Sequence, residues 1–332
     1  MLIFLYKKKM KKVAIIGPIH KDGWDFLKKK DFDVFEITDL SSNNLIKELQ
    51  NVSSIILRTK KLDKEILAEC KNLKIVARHG VGYDNVDLNF LNKKKIALAI
   101  TGSANAVSVA EHVMTMFLYL AKNINQSDLL TKKGDFEKKA SLPNFFELYK
   151  KNILILGFGR IGQAVAKRCL GFESKVYVYD PYVGKTIIEN NNCYKINFLE
   201  GLILADFITI HLPLNSETKN LIASEELKQM KNNCILINTA RGGIINENDL
   251  LLALSNKKIL GAGLDVYETE PPLKENPLLK LDNILLTPHN AALTLECRKR
   301  MALESAENIV YFLEDKSDLN IKNIINFEKL NL

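Results

Sequence analysis

Short apolar runs alternate with helical patterns along this chain. In the first third, strand-like runs lie near residues 13–17, 33–37, 53–57, 74–78 and 96–100. The segments between them mix apolar and charged residues at helical spacing. This alternation is typical of a parallel sheet with crossover helices, so the sequence predicts an α/β fold.

The pattern repeats in the middle of the chain with more strongly apolar runs. These lie near 153–157, 175–180, 207–212, 234–239, 261–266 and 284–287. Nearly continuous apolar strands indicate a sheet that is covered on both faces. A helical pattern from about 106 to 133 precedes this block, and an amphipathic pattern from 293 to about 314 follows it. At 332 residues the chain is long for one core, which favours two domains with parallel sheets.

A glycine-rich turn joins the first strand of the middle block to a helix. It reads Gly157-Phe158-Gly159-Arg160-Ile161-Gly162, and the next strand ends in Asp180, eighteen residues beyond the last glycine. The first glycine permits a tight turn, the second lets the backbone approach a pyrophosphate, and the third lets helix pack on strand. Although glycines recur in ordinary turns, this full context predicts a dinucleotide site. A carboxylate at Asp180 suits free ribose hydroxyls and repels a 2′-phosphate, which favours NAD over NADP.

Three residues with useful chemistry follow successive strand-like segments. Arg241 has a planar guanidinium that can bind a carboxylate through two hydrogen bonds, and histidine, as at His289, exchanges a proton near neutral pH. The carboxylate of Glu270 could orient that imidazole and stabilise its protonated form. Each also has a simpler interpretation: a surface arginine, a helix-capping histidine and a loop charge. Beside a dinucleotide turn, the three together predict hydride transfer on a 2-hydroxy or 2-oxo acid.

Longer motifs carry a resemblance to a known family. The matching segments are 78–87 (RHGVGYDNVD), 104–112 (ANAVSVAEH) and 211–214 (HLPL), and with the features above they extend over most of residues 13–315. The chain resembles the D-isomer-specific 2-hydroxyacid dehydrogenases, in the branch of phosphoglycerate dehydrogenase and hydroxypyruvate reductase.

The resemblance implies a division of labour among the residues. His289 would donate a proton to the keto oxygen and remove it in the reverse direction, Glu270 would raise the pKa of that imidazole, and Arg241 would clamp the substrate carboxylate. Asp265 would bind the nicotinamide carboxamide. The residues implied in cofactor binding are Gly157, Gly159, Arg160, Ile161, Gly162, Asp180, His211, Leu212, Pro213, Thr239, Ala240, Arg241, Asp265 and His289.

The resemblance also implies a domain arrangement. Residues 1–105 and 290–332 would form a discontinuous substrate domain, and residues 106–289 an NAD-binding domain of Rossmann type. The active site would lie in the cleft between them, and closure would exclude water. A helix near 107–120 resembles the segment through which relatives form dimers, although an ordinary core helix would give the same pattern.

Substrate identity rests on fewer residues. Arginines matching Arg58 and Arg78 contact the substrate or lie beside its phosphate in phosphoglycerate dehydrogenases, and backbone at Val81 and Gly82 receives its carboxylate. These enzymes have a further basic residue near the positions of Lys138 and Lys139. Lysine can neutralise a phosphate but lacks the planar guanidinium of arginine, and these lysines could equally be surface residues. The resemblance favours D-3-phosphoglycerate. Hydroxypyruvate, glyoxylate and a sulfolactate-type acid stay open, whereas formate is disfavoured because formate dehydrogenases pair the histidine with glutamine.

A function of another class also stays open. Some members of this superfamily are NAD-binding corepressors that retain the arginine, glutamate and histidine. An NAD-binding scaffold without turnover is a third possibility. About 18 residues follow the last helical pattern, so we expect no serine-sensing domain.

Composition narrows the remaining classes. The net charge of +8 comes from 47 basic and 39 acidic residues scattered along the chain, so we expect a small anionic substrate rather than nucleic acid. The five cysteines have no paired short spacing, so the sequence predicts neither a metal site nor a disulfide framework. A cysteine content of this kind favours a cytoplasmic enzyme. No apolar run is long enough for a membrane span. The lysine run at 7–12 precedes the first strand, and we expect translation to begin at Met1 or, as we favour, at Met10.

Overall fold

The structure is a computed structural model that describes residues 10–314 and 321–330. The question of whether translation begins at Met1 or Met10 concerns residues 1–9, which lie outside the described residues. The chain divides into two compact units, residues 1–105 with 293–332 and residues 106–292. The second boundary falls after residue 292, whereas the sequence predicts it after 289. The roles of the two units as substrate and NAD-binding domains stay predictions.

The first unit is a five-stranded parallel sheet with helices. Its elements are β1 (Lys12–Ile16), α1 (Lys21–Lys29), β2 (Asp33–Ile37), α2 (Ser42–Leu49), β3 (Ser54–Leu57), α3 (Lys64–Ala68), β4 (Ile75–Arg78), α4 (Leu88–Lys94), β5 (Ala97–Ala99) and α12 (Leu295–Leu313). The strand order is β2-β1-β3-β4-β5. The direction of winding reverses between β1 and β3, and ligands of such sheets bind beyond the carboxyl ends of the strands at this switch point.

Close packing in the first unit depends on one glycine in a helix. A Cβ added at Gly23 of α1 would lie 2.7 Å from the carbonyl oxygen of Ala302 in α12. The absence of a side chain therefore lets these two helices meet, although glycine lowers helix propensity. The contact fixes the C-terminal helix to the first unit.

The second unit is a seven-stranded parallel sheet. Its elements are α5 (Ala106–Ala121), α6 (Ile124–Lys132), β6 (Asn152–Leu156), α7 (Arg160–Gly171), β7 (Lys175–Tyr179), α8 (Lys185–Glu189), β8 (Tyr194–Lys195), α9 (Phe198–Leu204), β9 (Phe207–Ile210), α10 (Ser224–Gln229), β10 (Ile235–Asn238), α11 (Glu247–Ser255), β11 (Gly261–Leu264) and β12 (Ile284–Leu286). The order is β12-β11-β10-β9-β6-β7-β8, the doubly wound Rossmann order extended by one strand. The predicted α/β class with two parallel sheets is confirmed.

Two details differ from the sequence prediction. The single helix predicted from 106 to 133 is two helices, because Asn123 adopts the left-handed conformation at φ +46° between α5 and α6. Asparagine tolerates that conformation better than most residues, so an otherwise helical pattern can break there. The two-residue strand β8 was not predicted, since its exposed residues carry no apolar signal.

Hydropathy adds one observation about membranes. Across residues 10–314 and 321–330, every helix is too short or too polar to span a bilayer.

Candidate active site

The glycine turn lies at the switch point of the second sheet, between β6 and β9. Gly157 adopts φ +96°, and a Cβ added there would lie 2.6 Å from the carbonyl oxygen of His211, which follows β9. A Cβ at Gly162 would lie 2.1 Å from the carbonyl oxygen of Gly157. The first and third glycines are therefore required by the protein's own backbone packing, as predicted for a dinucleotide turn.

The second glycine of the turn faces open space instead. A Cβ added at Gly159 would meet no atom within 4 Å, and the residue is the exposed N-cap of α7. The first N–H groups of a helix have no acceptor within it, and the helix dipole favours an anion beside them. A cradle that one methyl group would fill, beside these N–H groups, fits a pyrophosphate.

Asp180 holds the same turn in place. This nearly buried carboxylate follows β7 and accepts hydrogen bonds from the backbone N–H groups of Phe158 at 2.8 Å, Tyr182 at 2.9 Å and Val183 at 3.2 Å. The bond to Phe158 ties the strand end to the glycine turn. Its predicted contact with ribose hydroxyls stays a prediction, and the backbone contacts give this residue a structural task that the sequence did not reveal.

The segment after β9 forms another wall of this crevice. The Nε2 atom of His211 lies 2.9 Å from the hydroxyl of Thr209, and burial lowers the pKa of His211 to about 3. The imidazole is therefore neutral at physiological pH. Leu212 is half-buried and Pro213 is exposed, so both can offer surface to a ligand.

The arginine turn follows β10. The side chain of Asn238 accepts from the N–H of Ala240 at 3.0 Å and donates to the carbonyl of Arg241 at 2.8 Å, so one buried amide shapes the turn after Thr239. A Cβ at Gly242 would lie 1.8 Å from the carbonyl oxygen of Tyr267. These constraints fix the backbone of Arg241, whose Nη1 also donates to Ala240 at 2.6 Å.

Glu270 and His289, for which the sequence predicts an acid–base role, are hydrogen-bonded to each other. The Nδ1 atom of His289 lies 2.8 Å from Oε2 of Glu270, and Oε1 of Glu270 accepts from the N–H of Tyr267 at 3.1 Å. The carboxylate is thus held by one backbone donor and presents its second oxygen to the imidazole. The pair leaves Nε2 of His289 available for proton transfer.

Electrostatics adjust both members of the pair. The hydrogen bond to Glu270 raises the pKa of His289 above its ordinary value, against opposing effects of burial and of the Arg241 charge. Burial opposes ionisation of Glu270, but the hydrogen bond and charge of His289 outweigh it and lower the pKa of that carboxyl. His289 therefore retains its proton to a higher pH than free histidine does.

Asp265 lies beneath the histidine loop and is 1% exposed. Its Oδ1 accepts from the Thr287 hydroxyl at 2.6 Å and the Asn290 N–H at 2.9 Å, and its Oδ2 accepts from the Ala291 N–H at 3.0 Å. The carboxylate thus anchors the loop that carries His289. The predicted carboxamide contact stays a prediction.

Three residues that build this region have no individual role in the sequence prediction: His112, Tyr267 and Thr287. The Tyr267 hydroxyl donates to the Thr287 carbonyl at 2.9 Å, and His112 of α5 contacts the Thr287 hydroxyl at 3.1 Å. The available signal was that Thr287 precedes the Pro-His pair directly and that His112 ends one of the matching motifs.

The predicted substrate residues Arg58, Arg78, Val81 and Gly82 belong to the first unit. Arg58 follows β3 at the switch point, and its N–H donates to Ile16 of β1 at 3.0 Å. Arg78 is buried, and its guanidinium donates to the carbonyls of Leu57, Arg58 and Gly82. Arg78 therefore shapes the loops that carry the other three residues.

Lys138 belongs to the second unit, in a 3-10 helix at Phe136–Ser141. Its ammonium is exposed and lies 2.9 Å from Oδ1 of Asp135. Surface pairs of this kind contribute little to stability. Nothing in these contacts favours the predicted phosphate role over the surface interpretation. Within the described residues, His, Cys, Asp and Glu side chains form no group of three suited to a metal ion.

Comparison with known proteins decides the family. Residues 114–291 match the family model for the D-isomer specific 2-hydroxyacid dehydrogenase NAD-binding domain. The chain is 37% identical over 306 residues to hydroxypyruvate reductase of Thermotoga maritima, a match that covers 90% of this chain and 97% of that one. The chain belongs to the D-isomer specific 2-hydroxyacid dehydrogenases. The predicted family and an NAD-binding fold are therefore confirmed.

Two further proteins, one compared by sequence and one by structure, are similar to this chain. The chain is 38% identical over 320 residues to D-3-phosphoglycerate dehydrogenase of Archaeoglobus fulgidus, covering 96% of this chain but 60% of that protein. A crystal structure of D-lactate dehydrogenase from Aquifex aeolicus, complexed with NAD and lactic acid, superposes with a TM-score of 0.83 at 28% identity, covering 94% and 98% of the two chains. This chain thus spans less than two thirds of the length of the phosphoglycerate dehydrogenase.

Proposed function

We propose that this protein is an NAD-dependent D-2-hydroxyacid dehydrogenase whose substrate is D-3-phosphoglycerate and its 2-oxo counterpart. The observation that carries the proposal is the 2.8 Å pair of His289 and Glu270, set with Arg241 beyond the carboxyl ends of three adjacent strands. The dinucleotide turn lies at the switch point of the same sheet. One sheet edge therefore offers a cofactor cradle, an anion clamp and a proton donor.

The residues of the second unit divide the work. Arg241 binds the substrate carboxylate through its guanidinium fork and polarises the adjacent carbonyl. His289 donates its proton to the carbonyl oxygen during reduction and removes the hydroxyl proton during oxidation. Glu270 orients the imidazole and stabilises its charged form. NAD, when bound, accepts or supplies the hydride at its nicotinamide ring.

The backbone of the glycine turn would hold the cofactor phosphates. The open position at Gly159 and the first N–H groups of α7 suit the pyrophosphate, and Asp180 suits the ribose hydroxyls. The remaining predicted cofactor residues are proposed as contacts on the same crevice: Arg160, Ile161, His211, Leu212, Pro213, Thr239, Ala240 and Asp265.

Arg58 supports a substrate that carries a second anionic group. It follows β3 at the switch point of the first sheet, where ligands of such sheets bind. Arg78 fixes the carbonyl of Arg58 and that of Gly82, so the loop is held by charge-assisted hydrogen bonds. We propose that Arg58 contacts the substrate and that Arg78 holds the loop for it.

Hydroxypyruvate reduction is the second candidate. The observation in its favour is that this chain covers 97% of the Thermotoga maritima hydroxypyruvate reductase, against 60% of the phosphoglycerate dehydrogenase. The two candidates differ in the phosphate group alone. Glyoxylate and a sulfolactate-type acid are further members of the same substrate class.

The test is NADH consumption by the purified protein with phosphohydroxypyruvate, hydroxypyruvate, glyoxylate and sulfopyruvate, with NADPH as cofactor control. We expect the phosphorylated acid to give the highest kcat/KM, and Arg58→Leu to remove that preference while sparing hydroxypyruvate. Lys61→Leu, a nearby exposed cation, is the matched control. A preference for hydroxypyruvate in the wild-type protein would assign the reductase.

The same assay separates enzyme from corepressor. His289→Ala should abolish turnover and leave NADH affinity within about twofold, because the imidazole moves the proton whereas it is only one of many predicted cofactor contacts. Binding of NADH without turnover of any acid would favour the NAD-binding corepressor or scaffold.

We also propose a homodimer in a reducing cytoplasm. Helix α6 buries none of its residues, and Val107, Ile124 and Leu129 are exposed on α5 and α6. All five cysteines are buried free thiols, which suits a reducing compartment. Sedimentation analysis should give twice the chain mass, and Leu129→Glu should lower it. A concentration-independent single-chain mass would reject the dimer.

A further inference from the structure

The loop that carries His289 needs support from outside itself. His289 adopts φ +51°, a conformation that most side chains disfavour, and its imidazole is 52% exposed. Packing therefore contributes little to its orientation. The hydrogen bond to Glu270 fixes one ring nitrogen, and the position of the ring then depends on the backbone from Thr287 to Ala291.

Helix α5 contacts this loop on both sides of His289. The hydroxyl of Ser108 donates to the carbonyl of Ala291 at 2.6 Å, and Nε2 of His112 lies 3.1 Å from the hydroxyl of Thr287. Residues four apart lie on one face of a helix, so this pair of contacts follows from the spacing of Ser108 and His112.

A glycine in the sheet permits this approach. A Cβ added at Gly263 of β11 would lie 2.6 Å from the Cδ1 of Ile237 and 2.9 Å from the sulfur of Met116, which belongs to α5. A side chain there would have to displace those of Ile237 and Met116, so the glycine gives α5 room to pack closely on β11. The close packing thus brings His112 within reach of the loop.

The direction of the hydrogen bonds is fixed by the number of protons. The Thr287 hydroxyl has one proton, which it donates to Asp265 at 2.6 Å. Its oxygen can therefore only accept from Nε2 of His112, which must carry a proton. Burial lowers the pKa of His112 although the Asp265 charge opposes this, so the ring is a neutral donor near neutral pH.

We propose that His112 is a positioning residue, which holds the His289 loop by donating from Nε2 to Thr287 and, through that hydroxyl, to Asp265. The proposal rests on the proposed function for its kinetic effect. Asp265, directly after β11, faces His112, and Glu111 of α5 pairs with Arg168 of α7 at 2.9 Å. This series of hydrogen bonds from His112 to Asp265 keeps the N–H groups of Asn290 and Ala291 bound to Asp265, so the imidazole of His289 stays beside Glu270.

The decisive variants are His112→Leu, His112→Gln and Thr287→Val. Leucine removes the donor, whereas glutamine places an N–H at the same number of bonds from the backbone. A misplaced catalytic group costs about 10²-fold in rate, so we expect His112→Leu to lower kcat by roughly 10- to 100-fold with little change in NADH affinity. His112→Gln should recover most of the loss, and Thr115→Ala, exposed on the same helix, is the control.

A double variant separates positioning from general loss of structure. His112→Leu combined with Thr287→Val should cost little more than either change alone, since both break one chain of hydrogen bonds. Additive losses, or a glutamine variant as slow as the leucine variant, would overturn the proposal. Thr287→Val also tests it if His112→Leu does not fold.

A titration of His289 by NMR makes the test independent of turnover. With ¹³C-labelled histidine, the protein has five imidazole signals. In His112→Leu the His289 pKa should fall toward that of free histidine, because the loop no longer holds the ring beside Glu270. If the wild-type protein has no turnover but the His289 pKa still falls in His112→Leu, the proposed function alone is refuted. If the His289 pKa is the same in both proteins, the positioning role is refuted.

Discussion

At the scale of single residues, the chemistry depends on how Glu270 changes His289. The 2.8 Å hydrogen bond raises the pKa of His289, so the proton is present below that raised value and lost above it. Reduction of a 2-oxo acid needs the protonated ring and should weaken as pH rises through this pKa. Oxidation needs the neutral ring and should show the opposite trend.

Replacing Glu270 by glutamine should move this profile. The Glu270→Gln variant keeps a hydrogen-bond partner but loses the charge that stabilises the imidazolium. We expect the pH at which reduction fails to shift downward, and kcat at neutral pH to fall by roughly 10²-fold. Glu268→Gln, whose carboxylate accepts from the N–H of Glu247 at 3.0 Å, is the control in the same loop. An unshifted profile, with hydride transfer limiting, would mean that Glu270 does not tune the histidine.

Asp180 connects cofactor choice to the shape of the glycine turn. Its carboxylate accepts from three backbone N–H groups, so Asp180→Asn removes charge and one acceptor together. Hydrogen bonds to charged groups are worth about 1.5–3 kcal/mol, so NADH should bind about tenfold more weakly. The ratio of NADPH to NADH efficiency should rise, because repulsion of a 2′-phosphate is relieved.

Asp206 provides a matched control for that measurement. It is also a nearly buried carboxylate, accepting from the N–H of Asn152 at 2.9 Å, but it lies before β9 at the opposite end of the strands. Asp206→Asn should affect thermal stability and leave cofactor choice unchanged. An equal change of cofactor preference in both variants would trace the effect to the sheet rather than to Asp180.

At the scale of elements, the turn between β6 and α7 separates folding from binding. We expect Gly162→Ala to destabilise the protein by about 1–3 kcal/mol, because the new Cβ would lie 2.1 Å from the Gly157 carbonyl oxygen. Gly159→Ala meets no protein atom within 4 Å and should fold normally but bind NADH poorly. Thermal unfolding and NADH titration of both variants measure this contrast. Normal NADH affinity in Gly159→Ala would place the phosphates elsewhere.

The same elements show what the sequence could predict. Buried strands such as β6 and β10 follow from apolar runs, and the glycine turn follows because its backbone path accommodates only glycine at the first and third positions. The pairing of His289 with Glu270 is predicted from their positions after successive strand-like segments and from the family resemblance. These features are local, or are fixed by strand order.

Other features depend on contacts between distant segments. The sequence predicts a substrate contact for Arg78 at the end of β4, and that contact stays a prediction. The bonds that Arg78 donates to the carbonyls of Leu57, Arg58 and Gly82 could not be predicted, because they join three separate segments. The break at Asn123 also escaped prediction, because its neighbours continue a helical pattern and the left-handed residue alone ends α5. Tertiary contacts and single backbone angles decide such cases, and periodicity does not report them.

At the scale of the whole molecule, the net charge of +8 acts on anionic ligands. Scattered lysines produce a weak field over the whole surface, and salt screens it over about 10 Å at 0.1 M ionic strength. Charges that touch the substrate, such as those proposed for Arg58 and Arg241, are screened less. Salt therefore distinguishes general attraction from direct contact.

The dependence of KM on ionic strength should scale with substrate charge. Between about 0.01 and about 0.5 M salt, we expect KM for phosphohydroxypyruvate to rise more steeply than KM for hydroxypyruvate, because the phosphate adds charge that the positive field attracts. The kcat values should stay nearly constant, since bound substrate is already in contact. In Arg58→Leu the difference between the two slopes should persist while the preference for the phosphorylated acid is lost, because the scattered lysines still attract the phosphate from a distance. Parallel slopes for both acids in the wild-type protein would show that the net charge of the chain does not guide the substrate, and any phosphate preference would then have to arise from direct contacts such as the one proposed for Arg58.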